Sequence, residues 1–362
     1  MKITNIETIL LALPIITGQD VPLRGGVPTT SVEMPLVRVD TDAGISGWGE
    51  AFPPRVALAT QSIIDTVLRP FCVGRDAGDI TGLHDALERA LLSSGRNGPA
   101  RFAMSAVDIA LWDIAGKAAG MPLYRLLGGG RTDLPAYASL PRYGKPAAVR
   151  RYTEQALARG YRYIKVHEVA MGPIEAARAA APGVPLMVDA NCPWTVPEAV
   201  DMARRLQPLG LHWLEEPVWP PENLDGLAEV RRVGGIPIAA GENYGTAWEF
   251  RRAFQAGALT YAQPSVTKIG GVTEMRKVIA LAEAFGVTLA PHSPYFGPGL
   301  LAAIHCAAAI PAETLVERYY LDFAENPLGA AIDPQNGRLA IPQGPGLGLD
   351  PDPGIVAKYR VG

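Results

Sequence analysis

The sequence has no excess of either charge, few cysteines, few histidines and no long apolar run, and each shortage excludes something. Lys+Arg number 33 against 36 Asp+Glu, a net charge of −3. That balance supplies no basic field for nucleic acid or an anionic membrane, and neither is expected as a partner. Three cysteines, Cys72, Cys192 and Cys306, are too few and too scattered for a disulfide framework and form no CxxC pair. The chain therefore reads as reduced and cytoplasmic. Met1 to Thr17 is apolar in part, but Lys2 is its only basic residue and no small-residue cleavage site follows, so it is not read as a signal peptide. No stretch is long enough to span a bilayer. What is present is a chain of 362 residues, 48% hydrophobic, long enough for two domains or for one barrel with an appendage. Its 39 glycines and 33 prolines are many, yet short of a low-complexity composition.

The first third reads as strands followed by helices. Met1 to Leu13 is β-rich, and Pro35–Asp40 with Ile45–Glu50 flank the turn Thr41-Asp42-Ala43-Gly44 as an antiparallel hairpin. Helical patterns follow at 56–69, 79–92 and 99–119, the last apolar on most faces and so expected to be buried. From Pro135 the rhythm changes to short β-branched runs alternating with Ala/Leu/Arg-rich helical stretches. Eight strands are expected, at 136–140, 163–166, 186–188, 211–214, 236–239, 260–262, 287–290 and 314–316, with seven helices between them. Strict alternation of that length favours a parallel barrel, although an open sheet satisfies the same pattern. The organisation expected is an α+β capping domain at 1–125, a barrel at 126–321 and a segment at 322–362 that returns to the cap.

Ionisable residues stand at the carboxyl ends of the expected strands with a near-constant period. From Lys165 through Asp189, Glu215, Glu242, Lys268 and His292 to Glu317 the steps are 24, 26, 27, 26, 24 and 25 residues. One barrel unit is about 25 to 30 residues, so each falls at the rim where such barrels place their chemistry. Asp189, Glu215 and Glu242 offer hard oxygens on consecutive strands, and no arginine cluster follows to hold them. Mg²⁺ suits that donor set, whereas zinc or iron prefers imidazole and thiolate. Lys165 and His167 alternate on one strand and share a face. A lysine there is either paired with Asp189 or Glu215 or, beside a divalent cation that disfavours its ammonium form, a base. His292 lies on the opposite side of the rim. His84, His212 and His305 read as packed or surface residues, and Cys192 as a small packing residue.

Six stretches in order resemble the enolase superfamily, within it the mandelate racemase/muconate lactonizing enzyme family. They are Gly47-Trp48-Gly49-Glu50; Ser105 to Lys117 with Pro122 to Gly129; Val188-Asp189-Ala190-Asn191; Trp213-Leu214-Glu215-Glu216-Pro217; Gly241-Glu242-Asn243; and Lys268-Ile269-Gly270-Gly271. The resemblance implies an α/β fold, a modified (β/α)7β TIM barrel under an N-terminal α+β cap, and Mg²⁺ on Asp189, Glu215 and Glu242. It implies removal of a proton α to a carboxylate, a homo-oligomer, and stabilisation of the substrate by Lys268 and a protonated Glu317 after the last strand. Two positions depart from the pattern. Lys165-Val166-His167 stands where many members have Lys-x-Lys, and Ser265 stands where members carry the Asp or Lys of the sixth strand. A serine orients His292 through a hydrogen bond without stabilising its charged form, which favours a proton donor over a second base.

The expected reaction is a Mg²⁺-dependent dehydration of a small polyhydroxy carboxylate. Lys165 takes the α-proton, His292 protonates the leaving β-hydroxyl, and a 2-keto-3-deoxy acid results. Racemisation or epimerisation, cycloisomerisation and a non-catalytic ligand-binding barrel are the alternatives. Loops 16–28 and 50–55 of the cap are expected over the barrel mouth, with Asn191 and Arg24 as substrate contacts. Arg24 is either the fork for a distal carboxylate of a diacid or an exposed arginine. Tyr143, Trp194, Tyr244 and Tyr295 are candidates for the pocket wall or for packing.

Overall fold

A computed structural model describes residues 1–24 and 26–361. The first third opens with an antiparallel sheet of β1 (Ile3–Ile16), β2 (Ser31–Thr41) and β3 (Ser46–Glu50). Leu11, Leu13 and Ile15 are buried while Pro14 and Ile16 are exposed, the alternation of a half-covered sheet. Helices α1 (Ala57–Ile63), α2 (Ile80–Ala90) and α3 (Pro99–Ala119) pack on it, α1 running on through a π-helical turn, Ile64–Leu68, to Cys72. Helix α3 is buried on nearly every face, as its composition predicts. A Cβ on Gly49 would lie 1.9 Å from the Ala106 carbonyl oxygen, so β3 rests directly on the α3 backbone. That contact is the physical content of the Gly-Trp-Gly stretch.

Eight parallel strands follow: β4 (Asp133–Leu140), β5 (Ile164–Val166), β6 (Leu186–Asp189), β7 (Trp213–Glu215), β8 (Ile238–Ala240), β9 (Tyr261–Ala262), β10 (Thr288–Leu289) and β11 (Val316–Tyr319). Between them run α4 (Pro146–Ala158), α5 (Met171–Ala180), α6 (Val196–Leu206), α7 (Leu224–Gly234), α8 (Ala247–Gln255), α9 (Gly271–Phe285) and α10 (Pro298–Ala308). Capping boxes start two of these helices, Thr195 with Glu198 for α6 and Thr246 with Glu249 for α8. The strand order in space is β10-β9-β8-β7-β6-β5-β4-β11, every neighbouring pair parallel. This is the (β/α)7β barrel with an α+β cap that the sequence implied. Among the described residues no strand ladder joins β10 to β11. Ser293 spans that seam instead, its N–H donating to Glu317 Oε2 at 3.1 Å and its hydroxyl to the Glu317 carbonyl at 3.0 Å.

The last strand departs from its expected bounds, 314–316. Pairing of Val316–Tyr319 with Ala136–Ser139 shifts it forward and puts Glu317 inside the strand rather than after it. Beyond it, β12 (Asp322–Phe323) pairs with Ile15–Ile16 at the edge of the cap sheet, and β13 (Arg338–Ala340) pairs antiparallel with β4. Helix α11 (Pro353–Tyr359) leads to Val361, whose N–H donates to the Leu10 carbonyl at 2.8 Å. No helix among the described residues is long and apolar enough to cross a membrane.

Candidate active site at the barrel mouth

Tyr137, Met187, Trp213, Ala239 and Ala290, contributed by β4, β6, β7, β8 and the end of β10, pack as an apolar cluster of their own. The carboxylates stand against this floor. Asp189 and Glu215 end β6 and β7, and Glu242 follows β8 by two residues. Ligand oxygens of all three lie within 4.8 Å of one another. Asp189 and Glu215 are fully buried. Burial pushes Glu215 well above the usual carboxylate range and Asp189 beside it pushes the same way, against the pull of Lys165. Glu242 also loses hydration, but His292 and Lys268 outweigh this and draw it down to about 2. Trp213 Nε1 donates to Glu215 Oε2 at 2.9 Å.

Lys165 lies within this layer rather than above it. It is 0% exposed, with Nζ 2.9 Å from Glu215 Oε1, 2.9 Å from Glu317 Oε1 and 3.4 Å from Asp189 Oδ2. Burial opposes its charge, yet Glu215, Glu317 and Asp189 together hold it well above the ordinary lysine range. The sequence left Lys165 either paired with Asp189 or Glu215 or acting as a base; the structure shows the pairing, extended to Glu317.

His167 does line the cavity. Its Nδ1 is 2.7 Å from the Leu140 carbonyl oxygen, which only accepts, so Nδ1 carries the hydrogen and Nε2 faces the acids. Nε2 lies 3.1 Å from Asp189 Oδ2 but off the hydrogen-bond direction, and that buried oxygen has no hydrogen-bond partner. A buried carboxylate oxygen without a hydrogen bond, in a convergent all-oxygen set, fits a hard divalent cation such as Mg²⁺.

On the Glu242 side stands His292, its Nε2 2.9 Å from Glu242 Oε2. Its Nδ1 is 3.2 Å from Ser265 Oγ, and Ser265 is in turn bonded to Tyr295 Oη. Ser265 thus meets the imidazole at the position expected of it, and Tyr295, buried behind it, orients the serine rather than lining the pocket. Lys268 reaches Asn243 Oδ1 at 2.9 Å and lies 4.5 Å from the centre of the Phe52 ring. The Asn243 amide donates to both oxygens of Glu216. Glu317 departs from its expected role as a protonated donor. It accepts from Ser139 Oγ at 2.6 Å and Ser293 N–H at 3.1 Å besides pairing with Lys165. Although burial raises it, Lys165 and His292 outweigh this, and the carboxyl sits below its usual range. Arg318 turns away, toward the Ile332 carbonyl and Asp333.

His167, Glu242, His292 and Glu317 open onto a cavity of about 460 Å³, lined also by Leu23, Arg24, Phe52 and Pro54 from the cap and by Arg142, Asn191, Pro294 and Tyr319. Both expected cap loops reach it. Asn191 and Arg24 are on its wall, while Tyr143 stacks on Tyr152 at 4.3 Å and Tyr244 packs on Phe250. Phe52, Asn243, Tyr319 and Arg142 were not singled out from the sequence. Arg142 had a faint signal: it lies 23 residues before Lys165, one short of the smallest rim step.

A second group of possible ligands, His84, Glu88 and Glu274, sits where the cap meets α9. Here the acids are already answered. Arg101, 2% exposed, bonds Glu88 and lies 3.5 Å from Glu274, and Lys277 reaches Glu274 at 2.7 Å. Burial works against a charge on His84, but Asp108 and Glu274 outweigh it and raise the imidazole to about 9. A Cβ on Gly271, at φ +82°, would strike Asp108 at 2.2 Å, so the Gly270-Gly271 pair exists to let α9 close on this cluster.

Comparison with known proteins places this geometry. Residues 148–355 match the enolase C-terminal domain-like family, and residues 20–128 the mandelate racemase/muconate lactonizing enzyme N-terminal domain. The chain is 33% identical to the 3,6-anhydro-alpha-L-galactonate cycloisomerase of Streptomyces coelicolor, over 99% of this chain and 100% of that enzyme. It is 32% identical to the arabinonate dehydratase of Saccharolobus solfataricus, over 92% of each. Among solved structures, a racemase from Streptomyces coelicolor A3(2) with bound magnesium superposes with a TM-score of 0.89 at 33% identity, covering 99% of this chain and 100% of that one.

Proposed function

The chain belongs to the mandelate racemase/muconate lactonizing enzyme family of the enolase superfamily, and from that premise we propose that it is a Mg²⁺-dependent dehydratase of a polyhydroxy carboxylate. The observation that carries this reading is the pair of imidazoles, His167 and His292, flanking the three-carboxylate cluster on one cavity. Mg²⁺ held by Asp189, Glu215 and Glu242 would supply Lewis-acid neutralisation of the charge that develops on the substrate carboxylate.

The protein's own groups carry the protons. His167 Nε2 takes the proton from the carbon α to the carboxylate, its ring held by the Nδ1 bond to the Leu140 carbonyl. Lys165 is the fixed positive charge beneath the reacting carboxylate, and Lys268 lies behind Phe52, whose ring lines the cavity. His292, held by Ser265, gives its proton to the departing β-hydroxyl. The α-C–H and β-C–O bonds break, water leaves, and the resulting enol tautomerises to a 2-keto-3-deoxy acid. The cap loops at Arg24 and Phe52 close the substrate against the barrel, consistent with a division into cap, barrel and returning tail at 1–125, 126–321 and 322–362.

The test is incubation with Mg²⁺ and a panel of acid sugars in D₂O. A 2-keto product, trapped with semicarbazide, is expected. α-Deuteration without a ketone indicates a racemase and overturns dehydration. His167→Asn and His292→Asn should each lose about 10²- to 10⁴-fold in turnover, the range for a general acid or base. If His167→Asn keeps α-deuterium exchange while Lys165→Met abolishes it, the base is Lys165 after all.

A further inference from the structure

Two arginines of the cavity wall are not used by the chemistry above. Arg142 follows β4, and its Nε donates to the His167 carbonyl at 2.8 Å. Among the described residues its Nη2, shut off from solvent, has no hydrogen-bond partner. Arg24 stands beside it: the short cap strand Leu23–Arg24 is pinned there by Leu23 N–H donating to the Arg142 carbonyl at 2.8 Å. The Arg24 charge reaches Tyr319, where it opposes the burial that raises that phenol to about 12. Among the described residues neither guanidinium has a carboxylate within ion-pair distance, whereas the buried Arg101 and Arg318 each have one.

Leaving a desolvated guanidinium N–H unmatched is costly, and a hydroxyl satisfies its hydrogen bond without its charge. A carboxylate satisfies both, through a planar fork. Building on the dehydratase reading, we propose that the substrate is a dianion, a dicarboxylic acid sugar whose second carboxylate is bound by Arg142 and Arg24. One carboxylate lies at the acid cluster between His167 and His292. The other lies at the arginine wall, so Arg142 and Arg24 select diacids over the matching monoacids that end in a neutral CH₂OH.

Binding calorimetry on the full chain with Mg²⁺ tests this without depending on turnover, using stereoisomeric pairs of six-carbon dicarboxylic and monocarboxylic acid sugars. The diacid of at least one pair should bind about 10- to 100-fold more tightly, the scale of a hydrogen bond between charged groups. Arg142→Gln should bring that ratio toward one, and Arg142→Lys, which keeps charge but not the fork, should restore part of it. Arg24→Gln, on the half-exposed cap strand, is the second variant and should lower the ratio in the same direction. Equal affinities in the unmodified protein, no binding of either acid at millimolar concentration, or a ratio that survives both substitutions overturns the proposal. A diacid preference without α-deuterium exchange instead leaves the arginine site standing and removes the dehydratase reading.

Discussion

Two clusters of carboxylates in this molecule start from similar ingredients and end as different things. At the cap–barrel junction Glu88, Asp108 and Glu274 face His84, Arg96, Arg101 and Lys277, so every acid is answered by a base. At the rim Asp189, Glu215, Glu216, Glu242 and Glu317 face two ammonium groups, Lys165 and Lys268, and two imidazoles. The first cluster answers its own charge and works as a clamp between cap and α9. The second is left short of positive charge: burial and neighbouring acids push Glu215 and Glu216 well above the carboxylate range. A group of acids is a site where the fold withholds compensation and leaves a cavity beside it, and it is structure where the fold supplies both.

That contrast breaks most visibly at the rim. Glu215→Gln should reduce turnover by at least about 10³-fold, the scale of losing a principal electrostatic stabiliser. The same change should leave metal-free stability within about 1 kcal/mol, because relief of repulsion offsets the lost Lys165 pairing. It should also abolish the rise in unfolding free energy on adding Mg²⁺, about 2.7 kcal/mol at a hundredfold excess over Kd. Turnover assays and denaturant melts with and without Mg²⁺ read all three effects. A large loss of metal-free stability would show that the rim acids are structural after all.

Arg101→Met should do the reverse. Removing the cation from a buried pair costs about 3–5 kcal/mol, read as a shift of the denaturation midpoint, while the response to Mg²⁺ persists. Loss of that response at unchanged stability would erase the distinction between the two clusters.

The smallest effect is a pH dependence at the clamp. His84 sits at about 9 in the fold, above its ordinary 6.5. Its contribution is therefore fully present below pH about 6.5 and is lost as pH rises through about 9. Unfolding free energy measured between those limits should fall with pH by up to about 3 kcal/mol, since each tenfold gain in proton affinity on folding is worth about 1.4 kcal/mol. His84→Gln should flatten the slope over that window. A slope that survives the substitution would assign the titration to another group.

The barrel's legibility came from repetition. Alternating apolar runs gave seven strand–helix units with element ends mostly within a residue or two, because the period-2 and period-3.6 patterns of each unit lie within its own residues. β11 was misplaced because its bounds depend on pairing with β4, a partner far away in sequence. The rim residues were legible for the same reason as the barrel: one per unit gave them a shared period. Their roles were less so. Lys165 and His167 alternate on one strand and share a face, yet Lys165 ends within the acid layer and His167 at the cavity above it. Depth along a barrel axis is fixed by what packs below, here Tyr137 and Trp213, and no local pattern encodes it. The glycines tell a similar story. Gly49 and Gly271 were visible as members of motifs, but their reason, the close approach of the α3 backbone and of Asp108, belongs to contacts across the chain.

The sequence by itself determined the β–α rhythm, the rim addresses of Asp189, Glu215, Glu242, Lys268, His292 and Glu317, and the hard-oxygen character of the candidate metal site, since these follow from local periodicity and side-chain chemistry. Only the tertiary structure decided which charges neutralise one another. It paired Lys165 with three acids, gave Glu317 the donors of Ser139 and Ser293, answered the His84 cluster with Arg101, and among the described residues left Arg142 and Arg24 without a carboxylate. Electrostatic roles depend on distances of a few ångströms and on the water removed around them, and both are set when distant segments meet.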